Sequence, residues 1–288
     1  MSDVEPRAVS SVILKGGVGK STISINLARQ LATRHDVLFV DLDPNGHATM
    51  GLGLDEAYER DVNLGNLVLD DRDATLDDVV VETDAEFDVL PSSNTLEQVE
   101  KELTGAIQGS SRLHKHVVEP VLGDRYQYVV IDQPAYPGML NNNGLVASRN
   151  LIVPMTPGSE AIGGFRRTVD RLVSPLREYM DVDILAIVPN RLQDRIDQQT
   201  EDRKLLENLN TQEHLAERLP NFAHITPEEF ERIDSGEIDP PRPGIRERKA
   251  FTQALGENVP LLDYDPENDQ LEHLEELATI VERGGVSR

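Results

Sequence analysis

The sequence has 288 residues, with 28 basic and 52 acidic side chains and a formal net charge of −24. A hydrophobic share of 38% suffices for a packed core, which excludes wholesale disorder. No apolar run approaches the ~18 residues of a spanning helix, and residues 1–7 lack the apolar core of a secretory signal. The absence of cysteine excludes disulfides, thiolate zinc sites and cysteine-held iron–sulfur clusters.

In chain order the pattern alternates strand and helix. Residues 8–14 (AVSSVIL) predict a strand, and 20–34 a helix with Ile23, Leu27 and Leu31 on one face. Residues 36–41 predict a second strand. Apolar runs at 87–90, 126–131, 150–155 and 182–188 predict four more. Helices are expected at 95–108, 110–122, 159–180 and 267–283. Runs apolar on both faces, separated by helical stretches, imply an α/β fold: a mostly parallel twisted sheet covered by helices on both faces. Residues 234–244, rich in Pro and Gly, read as a surface loop inside a single domain spanning 1–288.

Residues 15–22 read KGGVGKST, directly between the first strand and the first helix. Glycines let the backbone curl so that successive N–H groups point inward, and the following helix adds its positive end. That is a phosphate cradle. Gly16, Gly17, Val18 and Gly19 form it, Lys20 reaches the β- and γ-phosphates, Ser21 ligates Mg²⁺ and Thr22 meets the α-phosphate. The loop has Leu14 where the general pattern has glycine, and it adds Lys15. Two lysines five positions apart around one loop do not readily serve the same phosphates.

Three further strand ends carry chemistry. Asp41 and Asp43 leave the second strand at its C-terminal end, where α/β sheets place ligand sites. Asp132 closes the apolar run YVVID, as a carboxylate that holds Mg²⁺ through water does. Asn190 ends the run ILAIVPN, and its amide can pair with both the donor and the acceptor of an adenine edge.

KGGVGKST, FVDLDPNG, YVVIDQP and the strand-end Asn190-Arg191 together resemble the ParA/MinD family of P-loop ATPases with a deviant Walker motif, closest to its short ParA-type partition members. The resemblance covers nearly the whole chain and is weakest around 192–244. It implies ATP and Mg²⁺ as cofactors and an ATP-dependent homodimer, in which Lys15 reaches the phosphates of the other subunit. It also implies that Asp43 orients the attacking water, that Asp41 belongs to the outer shell of the Mg²⁺ that Ser21 ligates and Asp132 holds through water, and that Asn190 reads adenine. Asn45 stands where the family usually has Gln, and Gln133-Pro134-Ala135 where it has Thr-Pro-Pro.

The same resemblance implies slow hydrolysis, stimulated by a ParB-like or other adaptor on the cargo, and a cytoplasmic protein associated with the nucleoid when ATP is bound. With seven residues before the first strand, no N-terminal repressor domain is expected. Nonspecific double-stranded DNA is the expected track. Its candidate contacts are Arg242, Arg246, Arg248 and Lys249, the most basic window in the chain, with Arg166, Arg167 and Arg171 as a second patch. No membrane partner is expected, because the last helix carries Leu271, Leu274, Leu277 and Val281 on one face and acids on the other. The alternatives are a MinD-like positioning ATPase or nucleotide-switch interaction protein that does not use DNA, and a P-loop ligase or synthetase that activates a small carboxylate. Of the 28 cationic side chains only six are lysine. An acid-rich, lysine-poor surface resembles proteins of halophilic archaea, whose molar salt screens carboxylate repulsion.

Overall fold

A computed structural model describes residues 5–69, 73–193 and 195–288. Among these residues eight strands form one sheet: β1 (Arg7–Ser11), β2 (Val37–Asp41), β3 (Val81–Glu82), β4 (Asp88–Leu90), β5 (Tyr128–Asp132), β6 (Asn150–Met155), β7 (Asp183–Leu192) and β8 (Ile245–Arg246). Their order is β3-β4-β2-β5-β1-β6-β7-β8, and all neighbours run parallel except β3 against β4. The six expected strands are all present, with edges moved by a few residues. β3 and β8, two residues each, carry too little periodicity to be read from sequence.

The central strands are apolar on both faces because both faces are covered. On one side α1 (Lys20–Ala32) and the C-terminal helix Leu271–Arg283 pack against each other, joining Leu27, Leu31, Leu277 and Val281 to Phe39, Tyr128 and Val130. The apolar stripe of the C-terminal helix is therefore spent on the protein core. On the other side the helices Leu96–Gly105 and Met139–Ser148 cover Leu38, Val40, Val129 and Ile131. A third cluster, around β6 and β7, gathers Phe165, Leu172, Leu206 and Phe230 from the helices beyond. Among the described residues no helix is long and apolar enough to cross a membrane.

Two expected helices are interrupted. The 110–122 stretch contains a π-helical segment, His114–Val118, and the 159–180 stretch another, Val169–Val173. Each is followed at once by a short α-helical piece with a proline in its first turn, Pro120 and Pro175. A proline lacks its N–H and its ring strikes the carbonyl four residues back, so the preceding turn widens. Hydrophobic spacing does not register this.

The order places the functional end of the sheet. β1 lies between β5 and β6, and the chain turns to opposite sides of β1 through α1 and through Met139–Ser148. A switch of this kind opens a crevice at the carboxyl ends of the strands. The ends of β1, β2, β5 and β7 all reach that edge.

Candidate functional site

The chain leaves β1 through Val12–Leu14 and curls at Gly17 (φ 72°) and Gly19 (φ 87°), both left-handed, before α1 begins at Lys20. Left-handed backbone is what lets successive N–H groups face one point, and glycine takes it without strain. Lys20 is buried, yet its ammonium makes no hydrogen bond or ion pair among the described residues. Burial lowers its pKa, while Asp132 and Asp43 pull it back up.

Asp41 and Asp132 are register partners on neighbouring strands and both are fully buried. Burial, then the charge of Asp132, pushes the Asp41 carboxyl up to about 7. Burial pushes Asp132 up to about 6, against the pull of Ser21 and Lys20. The two differ in their surroundings. Asp41 Oδ2 accepts from Thr49 N at 2.9 Å and Thr49 Oγ1 at 2.7 Å, and Oδ1 accepts from Asp43 N at 3.0 Å. Asp132 Oδ1 accepts from Ser24 Oγ at 3.2 Å, but Oδ2 is buried without a hydrogen-bond partner. An orphaned carboxylate oxygen beside Ser21, under a phosphate cradle, fits a hydrated divalent cation. Among the described residues no cluster of three or more His, Asp or Glu side chains exists to hold a metal without help from a ligand.

Asp43 follows, with Oδ1 accepting from Asn45 N at 3.0 Å and Asn45 Nδ2 at 2.8 Å, and its carbonyl accepting from Ser92 Oγ at 2.6 Å. Lys20, Ser21, Asp41, Asp43 and Asp132 thus come together from β2, α1 and β5. Lys15 does not join them. Its Nζ donates to Thr156 Oγ1 at 3.3 Å, just past β6, on the opposite flank of β1. Thr49 and Ser24, which hold these carboxylates, and Ser92, which bonds the Asp43 carbonyl, carry no spacing signal in the sequence because they are small hydroxyl residues. Gln133 is buried on the other sheet face against Gly144, with both amide atoms unpartnered.

Asn190 Nδ2 donates to the Val18 carbonyl at 2.7 Å. Beside it a cleft opens between Gly19, Thr22, Arg191, Ile245, Phe251 and Leu255, wide and apolar enough for a base. Arg246 and Arg248 line the same cleft, and with Arg195, Arg242 and Pro240-Pro241 they also wall a neighbouring hollow. The predicted basic window is therefore less free than its charge suggests. Arg246 Nη2 donates to the Gln193 carbonyl at 2.7 Å, and Arg248 pairs with Asp269. Arg242 and Lys249 are exposed. In the second patch Arg167 pairs with Glu160 at 3.0 Å, while Arg166 and Arg171 are exposed.

The family model AAA_31, an AAA domain, matches residues 7–182, from β1 to the start of β7. The chain belongs to this family. Within it, the chain is 34% identical over 172 residues to the sporulation initiation inhibitor protein Soj of Bacillus subtilis, covering 59% of this chain and 66% of that protein. It is 32% identical over 177 residues to the chromosome partitioning protein ParA of Caulobacter vibrioides, covering 58% of this chain and 64% of that one. The matches thus span less than two thirds of either relative's length. Among solved structures, a Cyanothece McdA variant in complex with ATP superimposes with a TM-score of 0.73 at 20% identity, over 99% of this chain and 98% of that one. The eight-stranded sheet with its flanking helices is the P-loop NTPase fold of ParA- and MinD-like proteins.

Proposed function

We propose that the chain is a ParA-type positioning ATPase: it binds ATP and Mg²⁺, pairs with a second copy, and uses hydrolysis to end that pairing. The observation that carries the reading is the split of Lys15 and Lys20 across β1. Lys20 leans toward Asp132 and Asp43, whereas Lys15 turns to Thr156 beside β6. A lysine held away from its own phosphates by a neighbouring strand is available to another subunit's.

In this reading Gly16, Gly17, Val18, Gly19 and Thr22 cradle the phosphates through backbone and hydroxyl donors. Lys20 supplies the charge facing the terminal phosphates. Mg²⁺, when bound, neutralises developing phosphoryl charge. Ser21 and Asp132 are the residues that hold it, the latter through water, and Asp41 extends the outer shell. Asp43, fixed by Asn45 and by Ser92, orients the attacking water. Asp41 has a second task, since by accepting from Asp43 N it sets where that carboxylate stands. Asn190 contacts adenine with Oδ1, its amide nitrogen being engaged by Val18.

Nonspecific duplex DNA is the proposed track, met by Arg242, Arg246, Arg248 and Lys249, doubled in a dimer. A ParB-like or other adaptor on the cargo is the proposed stimulator. The protein works in the cytoplasm and gathers on the nucleoid in its ATP state. The −24 charge and arginine pairs such as Arg29–Asp263 suit concentrated salt. Phosphate contacts lose roughly 10³–10⁵ in affinity between 50 and 200 mM salt, so DNA contact in such a cell requires hydrogen bonds and shape as well as charge.

The test is molecular mass by light scattering, together with retention on duplex DNA in molar KCl, with ATP, ADP or no nucleotide. Asp43→Ala should trap a DNA-bound dimer with ATP, and Lys15→Ala should remain monomeric although it still binds ATP. A monomer under every nucleotide would overturn the reading. A trapped dimer that ignores DNA would send the search for its track to protein or lipid surfaces.

A further inference from the structure

Arg191 is held in an unusual way. It is a non-glycine residue at φ 57°, the left-handed region, and it sits inside β7. The pairing of β7 with β8 shifts register between Asn190 and Leu192, so Arg191 is the residue left over in the ladder. Bulges beside functional sites re-aim a side chain, and glycine is the residue that takes this conformation without strain. An arginine here carries a backbone strain that glycine would not. Strain of this kind is a pointer to function when the side chain it aims has somewhere to act.

It does. The Arg191 Nε lies 3.8 Å from where a Cβ on Gly19 would stand. The side chain lines both the base cleft and the groove on the far side of Gly17, where Thr156, Pro157 and Gly158 form the wall. It is exposed and makes no hydrogen bond or ion pair among the described residues. In a chain with 52 carboxylates that is a conspicuous state for a guanidinium. The carboxylate that shares both clefts, Glu247, is taken by the Gln193 amide.

We infer that Arg191 is a phosphate clamp acting within its own chain: its guanidinium closes over the loop from the β7 flank and bonds the phosphates next to the ribose. The inference rests on the nucleotide reading above and adds a residue to it. Lys20 approaches the phosphates from the β5 side, so the two cations would hold the chain of phosphates between them. A planar guanidinium can bond two phosphate oxygens at once, which a lysine at the same place cannot. Because the clamp sits between base and loop, it acts on ADP and ATP alike. That separates it from residues that sense the terminal phosphate.

The experiment uses the full chain with Mg²⁺ and ADP or ATP, comparing wild type with Arg191→Gly, Arg191→Ala and Arg191→Lys by titration calorimetry, and records each melting midpoint without nucleotide. Arg191→Gly should weaken ADP and ATP equally, by about ten- to a hundredfold, while its nucleotide-free midpoint holds or rises because glycine relieves the backbone. Arg191→Lys should fall between Arg191→Gly and wild type. The inference is overturned if Arg191→Gly binds ADP within twofold of wild type, if only ATP affinity falls, or if the loss follows a lowered nucleotide-free midpoint. Failure of the wild type to bind either nucleotide would instead overturn the nucleotide reading itself.

Discussion

Asn190 Nδ2 donates to the Val18 carbonyl at 2.7 Å, and the same amide fills the space that a side chain on Gly19 would need. The end of β7 is thereby strapped to the phosphate loop across 172 positions of sequence. Loop shape and base cleft are set together.

Gly19→Ala tests that strap. At φ 87° a Cβ costs about 1–2 kcal/mol by itself, and here it also displaces Asn190. The melting midpoint should fall by several degrees and ADP affinity should drop. In Gly19→Ala/Asn190→Ala the collision is gone and the strain remains, so the double variant should melt above the sum of the two single losses. Strict additivity would mean the two residues do not meet.

Thr49→Val isolates the support of Asp41. Thr49 Oγ1 donates to Asp41 at 2.7 Å and accepts from Ser92 N at 2.9 Å, all of it buried. Removing the hydroxyl leaves groups without partners and should cost about 1–3 kcal/mol in urea unfolding. Asp43 N hangs on the same carboxylate. ATP turnover should therefore fall more than ADP affinity, and equal losses in both would place Thr49 outside the positioning of Asp43.

Asp269→Asn should strengthen DNA retention. Hydrogen bonding to Arg248 holds the Asp269 carboxyl down at about 2, so Arg248 is committed to it at every working pH. Freeing the guanidinium should raise affinity and steepen the salt slope by about one unit. The pair is partly exposed, so stability should change by no more than about 1 kcal/mol. If neither Asp269→Asn nor Arg248→Ala alters retention, DNA lies elsewhere on the surface.

Burial of His273 gives a pH dependence with a definite expected sign. It stacks on Phe222 with ring centroids 4.5 Å apart, and burial lowers its pKa despite Glu276, Glu272 and Asp269 nearby. With its folded pKa held below the about 6.5 of an unfolded histidine, it binds fewer protons in the fold than in the unfolded chain around that value. Its contribution is present above about pH 6.5 and is lost as pH falls. From about pH 7.5 to about pH 5, His273→Phe should lose less stability than wild type in denaturant titrations. A parallel decline would assign the loss to other groups.

Much of the site was legible because phosphate chemistry demands local patterns. KGGVGKST is contiguous, and glycines followed by Lys-Ser at the junction of strand and helix read as a cradle before any contact is known. Asp41, Asp43 and Asp132 read as strand-end acids for the same reason. What stayed hidden was assembled from distant segments. Ser24 matters only because α1 packs over β5, Ser92 only because the chain beyond β4 returns to Asp43, and Arg191 only because β8 meets β7 out of register. The two helices widened ahead of Pro120 and Pro175 show that apolar spacing reports which face is buried, and not how the backbone turns.

The sequence alone determined the class of fold, the glycine loop between β1 and α1 and the acids at the strand ends, since apolar periodicity and the left-handed demands of Gly17 and Gly19 are properties of neighbouring residues. Only the tertiary structure decided which charges share a space. Placing β1 between β5 and β6 sends Lys20 to one flank and Lys15 to the other. The turn after β8 ties Arg248 to Asp269, and the end of β7 leaves Arg191 beside Gly19. Electrostatic energy depends on distance and burial, and both are settled by strand order rather than by position in the chain.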